Sequence, residues 1–274
     1  MSVTSVVPRI TPRVAFLSLS RALICAAAVT SLWACSSGGG EDGGSFVDDP
    51  CTALRIAGGD ACGAPPRSIA IVATDRSYCT GTFITRQHVL TAAHCFTTDR
   101  DRVVIGTRGF TQDAARFVVH PRYDGNVSSP FDVAVVTLPS PIDVSPVALS
   151  LSRDIEAGER VVTYGYGLDE TGDDVVSRVR EGGVALKATS LDVVGVDTGT
   201  VLSQSDGAGD TCQGDSGGAL LRRDENGSVG IIALVRAGPP GCVIDSGRPS
   251  ENTNVQNIPV VDFILNQAPG TGAN

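Results

Sequence analysis

Positive charge is the first thing this sequence has little of. Its 274 residues carry 21 Lys and Arg against 30 Asp and Glu, a formal net charge of -9. A nucleic-acid-binding face needs basic side chains to displace counterions from phosphates, so no nucleic-acid partner is expected. The acidic balance is that of a solvated surface. Close groupings of cysteine and histidine are also lacking, and without a Cys-x-x-Cys pair there is no framework for structural zinc. The segment between Cys95 and His120 is short and offers no series of acidic ligands for calcium. Gly214, Gly217 and Gly218 lack the lysine and the spacing of a phosphate-binding loop. Neither a metal nor a cofactor is expected. No internal repeat is visible, and the apolar run 22–34 is too short to span a bilayer as a stable helix.

That run follows Arg9, Arg13 and Arg21, the pattern of an export signal over residues 1–34. Leu32-Trp33-Ala34-Cys35 resembles a bacterial lipobox, which implies cleavage before Cys35, acylation of its thiol and anchoring to a membrane. Ordinary secretion is the alternative, and either way the mature domain is exported. Residues 36–49 are rich in Gly, Ser and acidic side chains, so 35–55 is expected to be a flexible tether and propeptide. Residues 268–274 are expected to be a disordered tail. Between them lie short Val/Ile/Thr-rich runs at 68–73, 81–85, 102–105, 116–119 and 133–138, punctuated by Gly, Pro, Asp and Asn. Short strands without long helical periodicity indicate an all-β barrel or sandwich. Val261, Phe263, Ile264 and Leu265 suggest one short amphipathic helix over 258–267.

The stretch around which the chain is organised is Asp210-Thr211-Cys212-Gln213-Gly214-Asp215-Ser216-Gly217-Gly218. It sets a serine in a glycine-lined turn behind an acid. A serine hydroxyl is a poor nucleophile without an adjacent base, usually a histidine held by a carboxylate. Three histidines are present: His88, His94 and His120. His94 lies in Leu90-Thr91-Ala92-Ala93-His94-Cys95, and Asp132 opens an apolar strand, a poor place for a charge unless it is paired.

The segment around His94, the Asp132 strand and the Gly-Asp-Ser-Gly-Gly run resemble the trypsin/chymotrypsin family of serine endopeptidases, in that family's order and over 56–267. The resemblance implies two six-stranded antiparallel β-barrels, the second beginning near Val161, with the site in the cleft between them. It implies a catalytic trio of Ser216, His94 and Asp132, and an oxyanion site from the Gly214 and Ser216 amides. His120-Pro121-Arg122-Tyr123 resembles a family loop, which makes His120 structural. Gly165-Tyr166-Gly167 stands where the family usually has Gly-Trp-Gly. A surface binding module on a protease scaffold, without turnover, is the competing class.

Arg55-Ile56-Ala57-Gly58-Gly59 resembles the family's activation junction. Cleavage after Arg55 by an activating protease would free an Ile56 ammonium to pair with Asp215, a buried carboxylate otherwise very costly to leave unpaired. Apart from Cys25 and Cys35, six cysteines remain, an even number in an exported protein. The family's bridges imply Cys79–Cys95 and Cys212–Cys242. Cys62 lacks its usual family partner, and pairing with Cys51 would keep the propeptide attached after cleavage.

The resemblance frays at the specificity pocket. Asp210 falls where trypsin-like members receive Lys or Arg. Val235 and Ser250, however, stand where such members have small pocket-wall residues, and both add bulk as in elastase-like members. Ala233 removes a hydroxyl that normally supports the catalytic aspartate. Cleavage after Arg or Lys of protein or peptide substrates is expected over cleavage after small residues.

Overall fold

The computed structural model describes residues 67–107, 110–167, 186–205, 207, 209–225, 227–243 and 247–274. The proposed lipidation at Cys35, the Arg55–Ile56 junction and the Cys51–Cys62 pair lie outside them.

The first sheet has the order β5-β4-β1-β2-β3-β7-β6. Its strands are β1 (Ile69–Ala73), β2 (Tyr78–Phe83), β3 (His88–Thr91), β4 (Val104–Thr107), β5 (Phe110–Asp113), β6 (Arg116–Val119) and β7 (Ala134–Thr137). The β-branched residues of β1 are buried along its whole length, as they are where a strand has neighbours on both sides and cover on both faces. Among the described residues β5 and β6 are not paired to each other, so the sheet is a half-barrel. Phe83, Val89, Ile105, Val136 and Leu138 fill its hollow.

Several strand ends differ from the sequence pattern, three of them for a visible local reason. β2 starts at Tyr78 rather than Gly81, because Tyr78 to Thr80 pair with Ala73 to Ile71. It stops at Phe83 because the Thr85 hydroxyl accepts from Gln87 and His88 N–H and turns the chain. Asp132 and Val133 precede β7 in a tight turn, with Val133 N–H donating to Phe131 O at 2.8 Å.

The second sheet contains β8 (Ala148–Leu149), β9 (Arg160–Gly165), β10 (Lys187–Val196), β11 (Thr200–Ser205), β12 (Ala219–Arg223), β13 (Val229–Ala237) and β14 (Ser250–Asn254). The β12–β13 pairing closes six of these strands into a barrel, and β8 adds in parallel to β13. Val161, Leu191, Val193, Val201, Leu220 and Ile232 pack inside it. A larger core joins the two sheets, uniting Ile69, Leu90 and Val135 with Val162, Leu221 and Leu234. The described residues are mostly β with one short C-terminal α-helix, as the sequence pattern suggests.

That helix, α1 (Ile258–Gln267), buries Val260, Phe263 and Ile264, while Leu265 is exposed. Its apolar face is thus turned by one position from the Val261/Leu265 set. His120 is buried against it, stacked on Phe131 and edge-on to Phe263 at 4.9 Å each. Burial lowers the pKa of His120, and its Nδ1 accepts from Arg122 N–H. The expectation of a disordered tail at 268–274 is corrected: Asn274 O accepts from Leu151 and Ser152 N–H, and Ala273 bridges Leu149. These backbone groups bond to the edge of β8, which local composition cannot reveal.

Cys79–Cys95 and Cys212–Cys242 are disulfides, with sequence separations of 16 and 30. On the chain-entropy account each loop closure stabilises the fold by roughly 3 to 4 kcal/mol.

Candidate active site

His94 sits in a single 3-10 turn, Ala93–Cys95, directly after β3. The Cys79–Cys95 bridge ties that turn to β2. Asp132 is fully buried at the entrance to β7, the strand hydrogen-bonded to β3, so strand pairing brings the two residues together. Asp132 Oδ1 accepts from His94 N–H at 2.8 Å, and Oδ2 accepts from His94 Nδ1 at 2.6 Å. An ionised carboxylate only accepts, so this contact places the ring proton on Nδ1 and leaves Nε2 as a base. Beneath the pair, Thr253 Oγ1 on β14 donates to Asp132 O at 3.1 Å. Ala233 is buried on the adjoining β13 and has no hydroxyl to offer the carboxylate.

The Ser216 turn leads into β12 and is pinned at one end by Cys212–Cys242. Gly214 and Gly217 have φ of 94° and 80°, a backbone region costly for residues with a Cβ. Side chains there would also strike the first sheet: a Cβ on Gly214 would collide with the Tyr78 ring, and one on Gly217 would lie 2.6 Å from Ala92 N. Ser216 is therefore held beside the chain that leads into His94, and its carbonyl accepts from Thr80 N–H at 2.9 Å. Among the described residues no hydrogen bond joins the Ser216 hydroxyl to the imidazole. In unliganded sites such contacts are often loose and tighten when substrate binds.

The amides of this turn divide into two sets. Those of Asp215, Gly217 and Gly218 donate to Cys212 O, Val235 O and Asp215 O at 3.0, 2.7 and 2.9 Å. Among the described residues, those of Gln213, Gly214 and Ser216 have no acceptor. Backbone N–H groups without an acceptor beside a serine are available to an anion.

Asp215 is fully buried. Its carboxylate accepts from Gly167 N–H and Cys212 N–H at 2.8 Å each. Gly165 and Gly167 admit it, since a Cβ on either would collide with its oxygens. Burial pushes its pKa up to about 7, against the pull of those two amides and of the Lys187 charge.

Asp210 is also buried, and burial raises its pKa. Its Oδ1 accepts from Ser250 Oγ at 2.8 Å and from Thr211 N–H at 2.7 Å. Ser250 is buried against it, and Val235, on the neighbouring strand β13, is buried as well. Val235 N–H donates to Gly218 O at 2.8 Å and its carbonyl accepts from Gly217 N–H, so β13 is bonded directly to the serine turn. Sequence reasoning missed Thr80 and Thr253, because a threonine inside a strand reads simply as a strand former.

A half-barrel joined to a closed six-stranded barrel, with a paired histidine and aspartate beside a glycine-bounded serine, defines a serine hydrolase of chymotrypsin-like architecture. The chain belongs to the trypsin family, whose model matches residues 56–261. It is similar to brachyurin of Leptuca pugilator, 31% identical over 220 residues, which cover 74% of this chain and 92% of that protein. A trypsin of Saccharopolyspora erythraea is 28% identical over 197 residues, covering 64% of this chain and 86% of the relative. Serine protease SP24D of Anopheles gambiae is 30% identical over 200 residues, covering 66% and 72%. The protein is accordingly a serine endopeptidase that hydrolyses protein or peptide substrates, not a binding module alone.

Proposed function

We propose that hydrolysis runs through Ser216, His94 and Asp132. Ser216 Oγ attacks the carbonyl carbon of the scissile bond as its proton passes to His94 Nε2. The carbonyl π electrons move to oxygen, and the Gly214 and Ser216 N–H groups stabilise the oxyanion; one such donor contributes on the order of 3 kcal/mol to the transition state. His94 then gives its proton to the leaving amine, and water, activated by the same imidazole, releases the acyl group. Asp132 holds the ring and stabilises its protonated form. The observation that carries this reading is the double contact of Asp132 with His94, at 2.6 and 2.8 Å. Covalent labelling of Ser216 by a fluorophosphonate is expected, with loss of both labelling and turnover in Ser216→Ala. An unlabelled Ser216 in protein that cleaves peptides would refute it.

The S1 pocket closes on Asp210, and cleavage after Arg or Lys is the preferred specificity. The Ser250 hydroxyl already on Asp210, together with the Val235 side chain, favours a second reading in which short residues are taken. Profiling a mixed peptide library separates the two.

Activation follows cleavage after Arg55 by another protease, with the Ile56 ammonium as the missing counter-charge for Asp215. The Cys51–Cys62 bond would retain the propeptide, and acylated Cys35 would anchor the exported enzyme to the cell envelope. Two disulfides among the described residues support export.

A further inference from the structure

Thr80 is fully buried on β2, and each of its polar atoms has a partner. Its N–H donates to Ser216 O at 2.9 Å, and its carbonyl accepts from Thr91 Oγ1 at 2.8 Å. Its hydroxyl donates to Gly214 O at 2.8 Å and accepts from Tyr166 N–H at 3.0 Å. One residue of the first sheet thus holds the carbonyls of both Gly214 and Ser216. Both residues have N–H groups of their own without an acceptor among the described residues, as does Gln213 between Cys212 and Gly214.

The backbone contact to Ser216 O could come from any residue except proline. The contact to Gly214 O requires a hydroxyl at this place. The Gly214 N–H belongs to the 213–214 peptide, which is joined to the 214–215 peptide through a glycine with a wide range of allowed torsions. Holding the second peptide therefore narrows the directions open to the first. Asp215 N–H bonded to Cys212 O restrains the peptide after Gly214 at one atom, and the Thr80 hydroxyl restrains the same peptide at its oxygen. The Tyr166 N–H in turn fixes which way the hydroxyl points, since Oγ1 accepts from it and must donate elsewhere.

We propose that Thr80 is a positioning residue for hydrolysis, whose hydroxyl holds Gly214 so that the Gly214 and Ser216 N–H groups stay aimed at one point. This rests on the reading above that those two amides stabilise the oxyanion. Preorganised donors act without reorganising as charge develops. Loosening one therefore weakens transition-state binding while leaving ground-state binding intact.

The test uses the full chain after activation. Thr80→Val keeps the shape and removes the hydroxyl, whereas Thr80→Ser keeps the hydroxyl. Deleting a whole oxyanion donor costs about a hundred- to a thousand-fold, so misaiming one in Thr80→Val should lower kcat by about ten-fold, with KM within about two-fold of wild type. Thr80→Ser should restore kcat. A peptide boronic acid, which forms a tetrahedral adduct, should bind Thr80→Val more weakly by the same factor, and an unreactive product peptide should bind unchanged. Wild-type kcat in Thr80→Val, or a kcat loss that Thr80→Ser fails to rescue, overturns the proposal. If Thr80→Val does not fold, Thr80→Ala takes its place, and equal kcat in Thr80→Ala and Thr80→Ser overturns it. Fluorophosphonate labelling of wild-type Ser216 keeps the two levels apart. An unlabelled Ser216 removes the premise and the proposal together, whereas a labelled wild type beside an unimpaired Thr80→Val removes the role of Thr80 alone.

Discussion

Asp132 is a charge without exposed surface, and both of its carboxylate oxygens are taken by one residue, His94. Desolvating a carboxylate costs several kcal/mol unless hydrogen bonds replace its water, so the pair is a demanding arrangement that the fold must hold tightly. Asp132→Asn keeps the shape but presents an amide N–H₂ to Nδ1, which favours the tautomer protonated at Nε2. Nε2 then cannot accept the serine proton. The expected result is a fall in kcat on the order of ten-thousand-fold with the fold retained, read by peptide amide hydrolysis and circular dichroism. A loss below about ten-fold would show that Asp132 does not set the tautomer of His94. His94 and Asp132 could be singled out from the sequence by their flanking residues. Thr80 and Thr253 could not, because their contacts depend on which strands of the two sheets face each other.

At the scale of elements, α1 links the sheets through a few apolar side chains. Phe263 is buried between His120 and the shared core. Phe263→Ala should destabilise the protein by about 3 to 5 kcal/mol, measured by urea unfolding, since the helix is anchored and cannot fully collapse onto the cavity. A loss under 1 kcal/mol would mean that the helix merely lies on the surface. The bounds of α1 were legible, because Pro259 fits the first turn of a helix and an apolar periodicity follows it. The strands of the first sheet were legible as Val- and Ile-rich runs, but their ends were not. Tyr78 belongs to β2 because of its partner Ala73, a register that local composition does not encode. The tail escaped detection for the same reason: its partner is Leu149, more than a hundred positions away.

Over the whole molecule, the proposed activation would couple the buried acid at Asp215, in the serine turn, to cleavage after Arg55. In the uncut chain its pKa lies near 7, raised by burial and held from rising further by the Gly167 and Cys212 amides and the Lys187 charge, with Asp210 acting the other way. An aspartate in an unfolded chain titrates near 4. Between about pH 4 and pH 7, then, the folded protein retains a proton that the unfolded chain has released. Stability accordingly falls as pH rises through that window, by an amount on the order of 2 to 4 kcal/mol. Cleavage after Arg55 would supply the Ile56 ammonium, favour the ionised carboxylate and lower its pKa, so the dependence should flatten or reverse. The comparison is between Ser216→Ala protein cut with trypsin after Arg55 and the Ser216→Ala/Arg55→Gln chain, each unfolded in urea from pH 4.5 to 7.5. The uncut chain should lose stability across this range and the cut one should hold it. Matching profiles for the two forms would dissociate Asp215 from Ile56, and the serine turn would then have to be set by contacts within the described fold, with Thr80 foremost among them.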